Sequence, residues 1–388
     1  MHAAVYLDHN ATTPVDDAVL TAMLPFLREH YGNPSSVHRP GRTARAALER
    51  AREQVAALVG AHPAQVIFTA GGTEANSLAL RGVAAVEVPP GRIAVSAIEH
   101  PSVAETAEAL GGQGWLVARI PVDSEGRVTV AGLEAGLDER AVLASVMWAN
   151  NETGVIQDIA ALSTVARERG VVFHTDAVQA LGKLPVDFAA SGAQLMSLSA
   201  HKIYGPKGVG ALIVDKAVDF VPQLVGGGQE KARRAGTENV AGIVGFGAAA
   251  ELARERLEMR RRRALALRER LTAGLRGLAA SYGIVEFSAS AERLPNTCCF
   301  AVPGVDGETL VLRLDQAGVA VSSGSACASG SGEPSPVLLA MGIDPQLARG
   351  GLRVSLGEGN TEADVDAFLT RLAVALVKLV PVPHAAAG

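Results

Sequence analysis

Short apolar runs recur through the first half of the chain, and most stop at a residue able to do chemistry. They are Gln65–Ala70, Ile93–Ile98, Val142–Trp148, Val171–His174, Gln194–Leu198 and Val209–Val214. Stretches with helical apolar spacing alternate with strands, among them Thr43–Val59, which ends at Gly60, and Asp158–Arg169. Strands alternating with helices predict a mainly parallel sheet. Ligands bind at the carboxyl edge of such a sheet. The residues just after each run are therefore the ones to read: Gly72 and Thr73, His100, Asn151, Asp176 and Lys202.

Lys202 sits in Ser199-Ala200-His201-Lys202-Ile203-Tyr204-Gly205, past the end of an apolar run. A lysine there, among small and hydroxyl residues, is placed to form a Schiff base. A loop lysine is more often a solvated one, but none of the other five lysines (Lys183, Lys207, Lys216, Lys231, Lys378) has this surrounding. One strand–helix–strand step upstream lies Asp176, which puts the two side chains on neighbouring strand ends, about 4.8 Å apart laterally. Pyridoxal phosphate needs an acid at its ring nitrogen and a lysine at its aldehyde, on opposite sides of one ring. The competing role for Asp176 is a helix N-cap.

Gly71-Gly72-Thr73-Glu74 joins a strand to a helix start, and bare backbone N–H groups there suit an anion. No lysine follows, so this is not a P-loop, and the spacing is not that of a dinucleotide-binding turn. His100 could stack on a flat cofactor and move protons, or simply be a satisfied hydrogen-bonding residue. Asn151 suits a ring hydroxyl or carboxylate, and Gln179 lies one helical turn beyond Asp176, facing the same way. Asn33, in Gly32-Asn33-Pro34-Ser35-Ser36, could donate to a substrate carboxylate or serve as a turn residue.

The chain of 388 residues suits two domains, read as 16–258 for a large domain and 1–15 with 259–388 for an arm and a smaller α+β domain. A long helix is expected from about Ile243 to Ala280, with Arg260–Arg263 as a solvated face. Strands are expected near Thr297–Val302, Val319–Ser322 and Arg353–Ser355. Net charge of −5 gives no footprint for nucleic acid, and no apolar run reaches membrane-spanning length. The first residues show no signal-peptide pattern, so a cytoplasmic location is expected. Three cysteines, two of them adjacent, make no disulfide framework and no metal pair. Cys298 and Cys299 fall in a strand pattern as core filler. Cys327 lies in a run of serines and glycines, Ser322 to Pro334, expected to be a mobile loop on which a thiolate can react.

Taken together, these motifs resemble the cysteine desulfurases of the NifS/IscS type, within the class V aminotransferase family. The likeness runs from Tyr6 to about Leu376. It rests on Y-L-D-x-N-A-T-T-P at Tyr6–Pro14, G-x-T-E at Gly71–Glu74, E-H at Glu99–His100, N-N-E-x-G at Asn150–Gly154 and D-A-x-Q at Asp176–Gln179. H-K-I-Y-G-P-K-G at His201–Gly208, R-A-G-T-E-N at Arg234–Asn239 and S-S-G-S-A-C at Ser322–Cys327 complete it. Two departures are Ala200, where the family usually has Gly or Ser, and Val225, where a histidine often precedes the glycines.

The resemblance implies an α/β fold of the aspartate-aminotransferase-like, fold type I kind, with a mainly parallel seven-stranded sheet and a smaller α+β domain. It implies pyridoxal 5'-phosphate held by Lys202, with Asp176 at the ring nitrogen, His100 stacked on the ring, and Asn151 and Gln179 at the ring oxygen. Gly72, Thr73, Ser199 and His201 would bind the phosphate, with Thr237 reaching it from the other subunit of a homodimer. Asn33 and Arg353 would hold the carboxylate of the substrate, L-cysteine. Cys327 would take the sulfur as a persulfide and pass it to an acceptor such as an iron–sulfur scaffold protein. Apart from Cys327 as a transient ligand to an iron–sulfur cluster, no metal is implied. A selenocysteine lyase, an aminotransferase on the same fold, and a dimer that binds cluster proteins without catalysis are the other classes weighed.

Overall fold

The computed structural model describes residues 5–324 and 333–380. In chain order the strands are β1 (Val5–Tyr6), β2 (Val66–Thr69), β3 (Arg92–Ser96), β4 (Leu116–Ile120), β5 (Ala141–Ser145), β6 (Val172–Asp176), β7 (Leu195–Ser199) and β8 (Gly210–Val214). After these come β9 (Val285–Glu286), β10 (Thr297–Ala301), β11 (Val319–Ala320), β12 (Ser322–Ser323) and β13 (Leu352–Ser355).

A seven-stranded sheet has the order β2-β8-β7-β6-β5-β3-β4. Strands β3 to β7 run parallel, as the alternation of runs and helices predicts. Only β8 opposes both of its neighbours. The link from Ser199 to Gly210 is too short for a crossover, so the chain must return antiparallel. Side chains alternate between the faces: Met196 and Leu198 of β7 join a cluster with Phe246 and Ala250, while Leu195 joins Leu78 and Leu80. Because helices cover both faces, the strands read as continuous apolar runs rather than alternating ones.

A four-stranded antiparallel sheet, β12-β13-β10-β9, forms a second layer, and β1 pairs parallel with β11. The run expected as one strand over Val319–Ser322 is thus two short strands. Val5 and Tyr6 pair with Val319 and Ala320, after which the chain crosses to β13. The helix Val240–Tyr282 serves both cores. Its first half packs Phe246, Ala249 and Ala253 against the large sheet, and Leu267, Leu271 and Leu275 pack with Phe300 and Leu372. The basic run on this helix is not wholly solvated. Arg260 is 8 % exposed, lies 4.6 Å over the Tyr204 ring and pairs with Glu358 at 2.7 Å. Its long apolar stem and flat guanidinium allow that burial where a charge alone would forbid it.

One buried ion pair shapes the loop after β8. Glu230 accepts from Arg52 through both oxygens, at 2.7 and 2.8 Å, and from the Phe68 N–H at 2.9 Å. Glu230, Lys231 and Ala232 all have left-handed backbone, at φ 45, 58 and 59. Such φ values cost non-glycine residues about 1 kcal/mol or more each. The bidentate pair holds the turn and pins it to β2.

Candidate active site

The carboxyl ends of β6 and β7, with the turn that follows β5, open into a cavity of about 340 Å³. Asn10, His100, Asp176, Gln179, Lys202 and Arg353 are among the residues that line it. A wider opening of about 850 Å³ adjoins it and shares Gly72, Thr73, Ser199 and His201. Both volumes lie in the range of about 300–1,000 Å³ usual for cofactor sites.

Lys202 closes a single 3-10 turn, Ala200–Lys202, directly after β7. Its Nζ donates to the backbone carbonyls of Asn10 at 2.5 Å and Ala11 at 2.8 Å. Asp176 ends β6 and is 5 % exposed. Its Oδ1 accepts the Val178 N–H at 2.9 Å, and Oδ2 accepts from Asn76 Nδ2 at 2.7 Å. No helix starts here among the described residues, so the aspartate is not the helix N-cap that was its alternative; one oxygen closes a turn and the other lies at the cavity. Asn76 Nδ2 also donates to Ser102 Oγ at 2.8 Å, and that hydroxyl lies 2.8 Å from His100 Nδ1. Asp176, Asn76, Ser102 and His100 thus form one hydrogen-bonded chain along the cavity wall.

His100 caps the helix Pro101–Gly111, its Nδ1 accepting the Ser102 N–H at 3.1 Å. That bond assigns the proton of the neutral ring to Nε2. Burial lowers the pKa of the ring, Asp176 opposes the shift, and Lys202 adds to it.

The other end of the cavity suits a phosphate. The helix Gly72–Ala84 begins without a side-chain cap, so its first N–H groups are available to an anion. A Cβ on Gly72 would meet Val178 at 3.0 Å, which accounts for the glycine. Among the described residues the buried Ser199 Oγ has no hydrogen-bond partner, a polar atom suited to a ligand oxygen. His201 contacts Thr12 Oγ1 at 3.1 Å. Burial first, then Lys202, Lys207 and Lys183, lower its pKa to about 4. These groups fit a phosphorylated ring held between Lys202 and Asp176. Among the described residues no cluster of three or more His, Cys, Asp or Glu side chains is arranged for a metal.

Arg353, on β13, is 1 % exposed. One Nη donates to Asp8 Oδ1 at 2.6 Å and the other to the Asn151 carbonyl at 3.0 Å, while the buried Nε has no partner among the described residues. Asn151 and Gln179 line the cavity. Asn33 does not join them: it is exposed, and its Oδ1 accepts the Ser35 N–H at 2.8 Å, a turn role. Thr237 is exposed and does not line its own chain's cavity. Cys327 lies outside the described residues. Cys298 and Cys299 are core residues, both 0 % exposed.

Asn10, Asp8, Asn76 and Lys183 belong to this site but are not legible as such in the sequence. Asn76 had a signal, since it lies one helical turn beyond Gly72 and Thr73. Asn10 had none, because what Lys202 meets is its backbone carbonyl.

Glu99, next to His100, is 7 % exposed. Its Oε1 accepts from Ser96 Oγ at 2.5 Å and the Met147 N–H at 2.7 Å. Burial pushes its pKa up to about 8, and nearby Asp176 adds to the shift. A carboxyl that binds its proton more tightly folded than unfolded stabilises fully below the unfolded value of 4.5. That contribution is lost as pH rises through about 8. Urea unfolding at pH 5 and pH 8 should show the parental protein losing roughly 2–4 kcal/mol relative to Glu99→Gln over that interval. Parallel pH curves for the two proteins would contradict a buried neutral acid.

A family model described as aminotransferase class-V matches residues 5–368. A cysteine desulfurase of Gluconacetobacter diazotrophicus is 46% identical over 97% of this chain and 94% of its own length. Among solved structures, a NifS-like protein superposes with a TM-score of 0.91 at 39% identity, covering 97% of this chain and all of its own. A protein described as SspA in complex with cysteine gives 0.80 at 32% identity, covering 92% of this chain and 99% of its own.

Proposed function

The chain belongs to the class-V aminotransferase family, and from that premise we infer that it is a cysteine desulfurase, taking sulfur from L-cysteine and releasing L-alanine. The supporting observation is one cavity lined together by Lys202, Asp176, His100 and Arg353. Its cofactor is pyridoxal 5'-phosphate, which when bound supplies a sink for the electron pair left at the substrate Cα. Lys202 takes and returns the proton at that carbon. Asp176, steadied by Asn76, keeps the ring nitrogen protonated, while Gln179 and Asn151 serve the ring oxygen. Gly72, Thr73, Ser199 and His201 hold the phosphate, with Thr237 supplied by the partner in a homodimer.

Arg353 fixes the substrate carboxylate, its guanidinium already aligned by Asp8. His100 protonates departing groups through Nε2. The Cys327 thiolate attacks the substrate sulfur, and an S–S bond forms as the Cβ–S bond breaks. The pair from that bond stays on carbon, which is protonated to alanine. The persulfide then passes to a sulfur-acceptor protein, such as an iron–sulfur scaffold. We place this chemistry in the cytoplasm, where thiols stay reduced. No helix among the described residues is long and apolar enough to cross a membrane.

The test is an assay of the purified protein with L-cysteine and a reductant, without any keto acid. Alanine and sulfide in equal amounts are expected. An absolute need for a keto-acid acceptor would show an aminotransferase instead.

A further inference from the structure

Lys183 lies behind the cavity wall and touches two residues that form it. Its Nζ is 2.7 Å from Gln179 Oε1 and 3.0 Å from Asn10 Oδ1. No carboxylate lies within ion-pair distance of it among the described residues, which is unusual for a buried lysine. Burial, then Lys202 and Arg353, hold its pKa well below the ordinary value. A lysine amine placed between two oxygens acts as a donor. Both amides are therefore oriented by it: the oxygen of each faces Lys183, and the nitrogen must face elsewhere.

For Asn10 that orientation is corroborated. Asn296 also donates to its Oδ1, at 3.1 Å, and its Nδ2 donates to Thr297 Oγ1 at 2.8 Å. For Gln179, one N–H of Nε2 goes to the Asn10 carbonyl at 2.9 Å. The amide group left to serve the cavity is thus a donor, the second N–H.

We propose that Lys183 is a positioning residue that locks Gln179 with its N–H toward the cavity, so that the site selects a bound ring whose oxygen is deprotonated. The proposal rests on the reading of pyridoxal phosphate as the ligand of Lys202. Without Lys183 the Gln179 oxygen loses its donor and the amide is held only through the Asn10 carbonyl, so its second N–H is no longer fixed on an anionic ring oxygen, which favours the protonated form.

The experiment is a pH titration of the visible absorbance of the protein reconstituted with pyridoxal phosphate. In Lys183→Met the midpoint should rise by about one pH unit, the effect of one charge-assisted hydrogen bond. Lys183→Arg, which keeps donors only, should stay within about 0.3 of the parental midpoint, and in a Gln179→Ala background Lys183→Met should add less than about 0.3. An unchanged midpoint in Lys183→Met, a rise in Lys183→Arg equal to that of methionine, or full additivity with Gln179→Ala would each overturn the role. Should Lys183→Met not fold, Lys183→Gln, able to accept as well as donate, is expected to raise the midpoint, and an unchanged value there overturns the role equally. A parental protein with no pH-dependent visible band would overturn the cofactor reading itself, and the role of Lys183 with it.

Discussion

Lys202→Ala should lower alanine formation from L-cysteine by at least about 10³-fold, within the range of a lost general base. It should also lack the visible band that the parental protein shows with pyridoxal phosphate. The fold should survive. The lost amine leaves two backbone carbonyls, those of Asn10 and Ala11, at the edge of a cavity that water can enter. The expected stability loss is about 1–2 kcal/mol. Lys202→Arg sharpens the reading: arginine can still donate to both carbonyls, yet its guanidinium stays protonated and forms no stable imine. It should be as inactive as alanine. Turnover above a tenth of the parental rate in either variant would remove Lys202 from the chemistry.

The second large effect is expected at Cys327. Cys327→Ala should keep the visible band and still change its spectrum on adding L-cysteine, while sulfide release falls below about one hundredth of parental, the scale of losing a catalytic nucleophile. The other cysteines cannot stand in. Burial pushes the Cys298 thiol up to about 12 and the Cys299 thiol well above its ordinary value, so neither offers a thiolate at neutral pH. Parallel assays with selenocysteine separate the lyase alternative, which predicts that Cys327→Ala keeps its activity on that substrate. Desulfuration of L-cysteine at the parental rate by Cys327→Ala would show that the nucleophile is misassigned.

The sheet and its functional edge were legible because two signals coincide in the sequence. Apolar runs mark the strands, and a parallel sheet places the residue after each run on one edge. Lys202, Asp176 and His100 fall in one cavity for that reason. What failed to show was whatever depends on the direction of a side chain or on a backbone group. Asn33 is exposed, and its amide oxygen accepts from its own turn, a contact that does not engage the Nδ2 donor a substrate carboxylate would meet. Arg260 sits in a run of four arginines that reads as solvated, and only its partners on other elements, Tyr204 and Glu358, explain its burial. The contacts of Asn76 with Asp176, of Lys183 with Asn10 and of Lys202 with the Asn10 carbonyl span a hundred residues or more, which no local pattern records.

The N-terminal arm has a further consequence, for synthesis. Leu7 donates to the Ala320 carbonyl, Asn10 donates to Ser355 Oγ at 2.9 Å, and Asp8 pairs with Arg353. A nascent chain has none of these partners until its last fifth begins to leave the ribosome. The earliest residues translated are therefore the last to settle, and a growing polypeptide cannot hold the Lys202 amine in its final place.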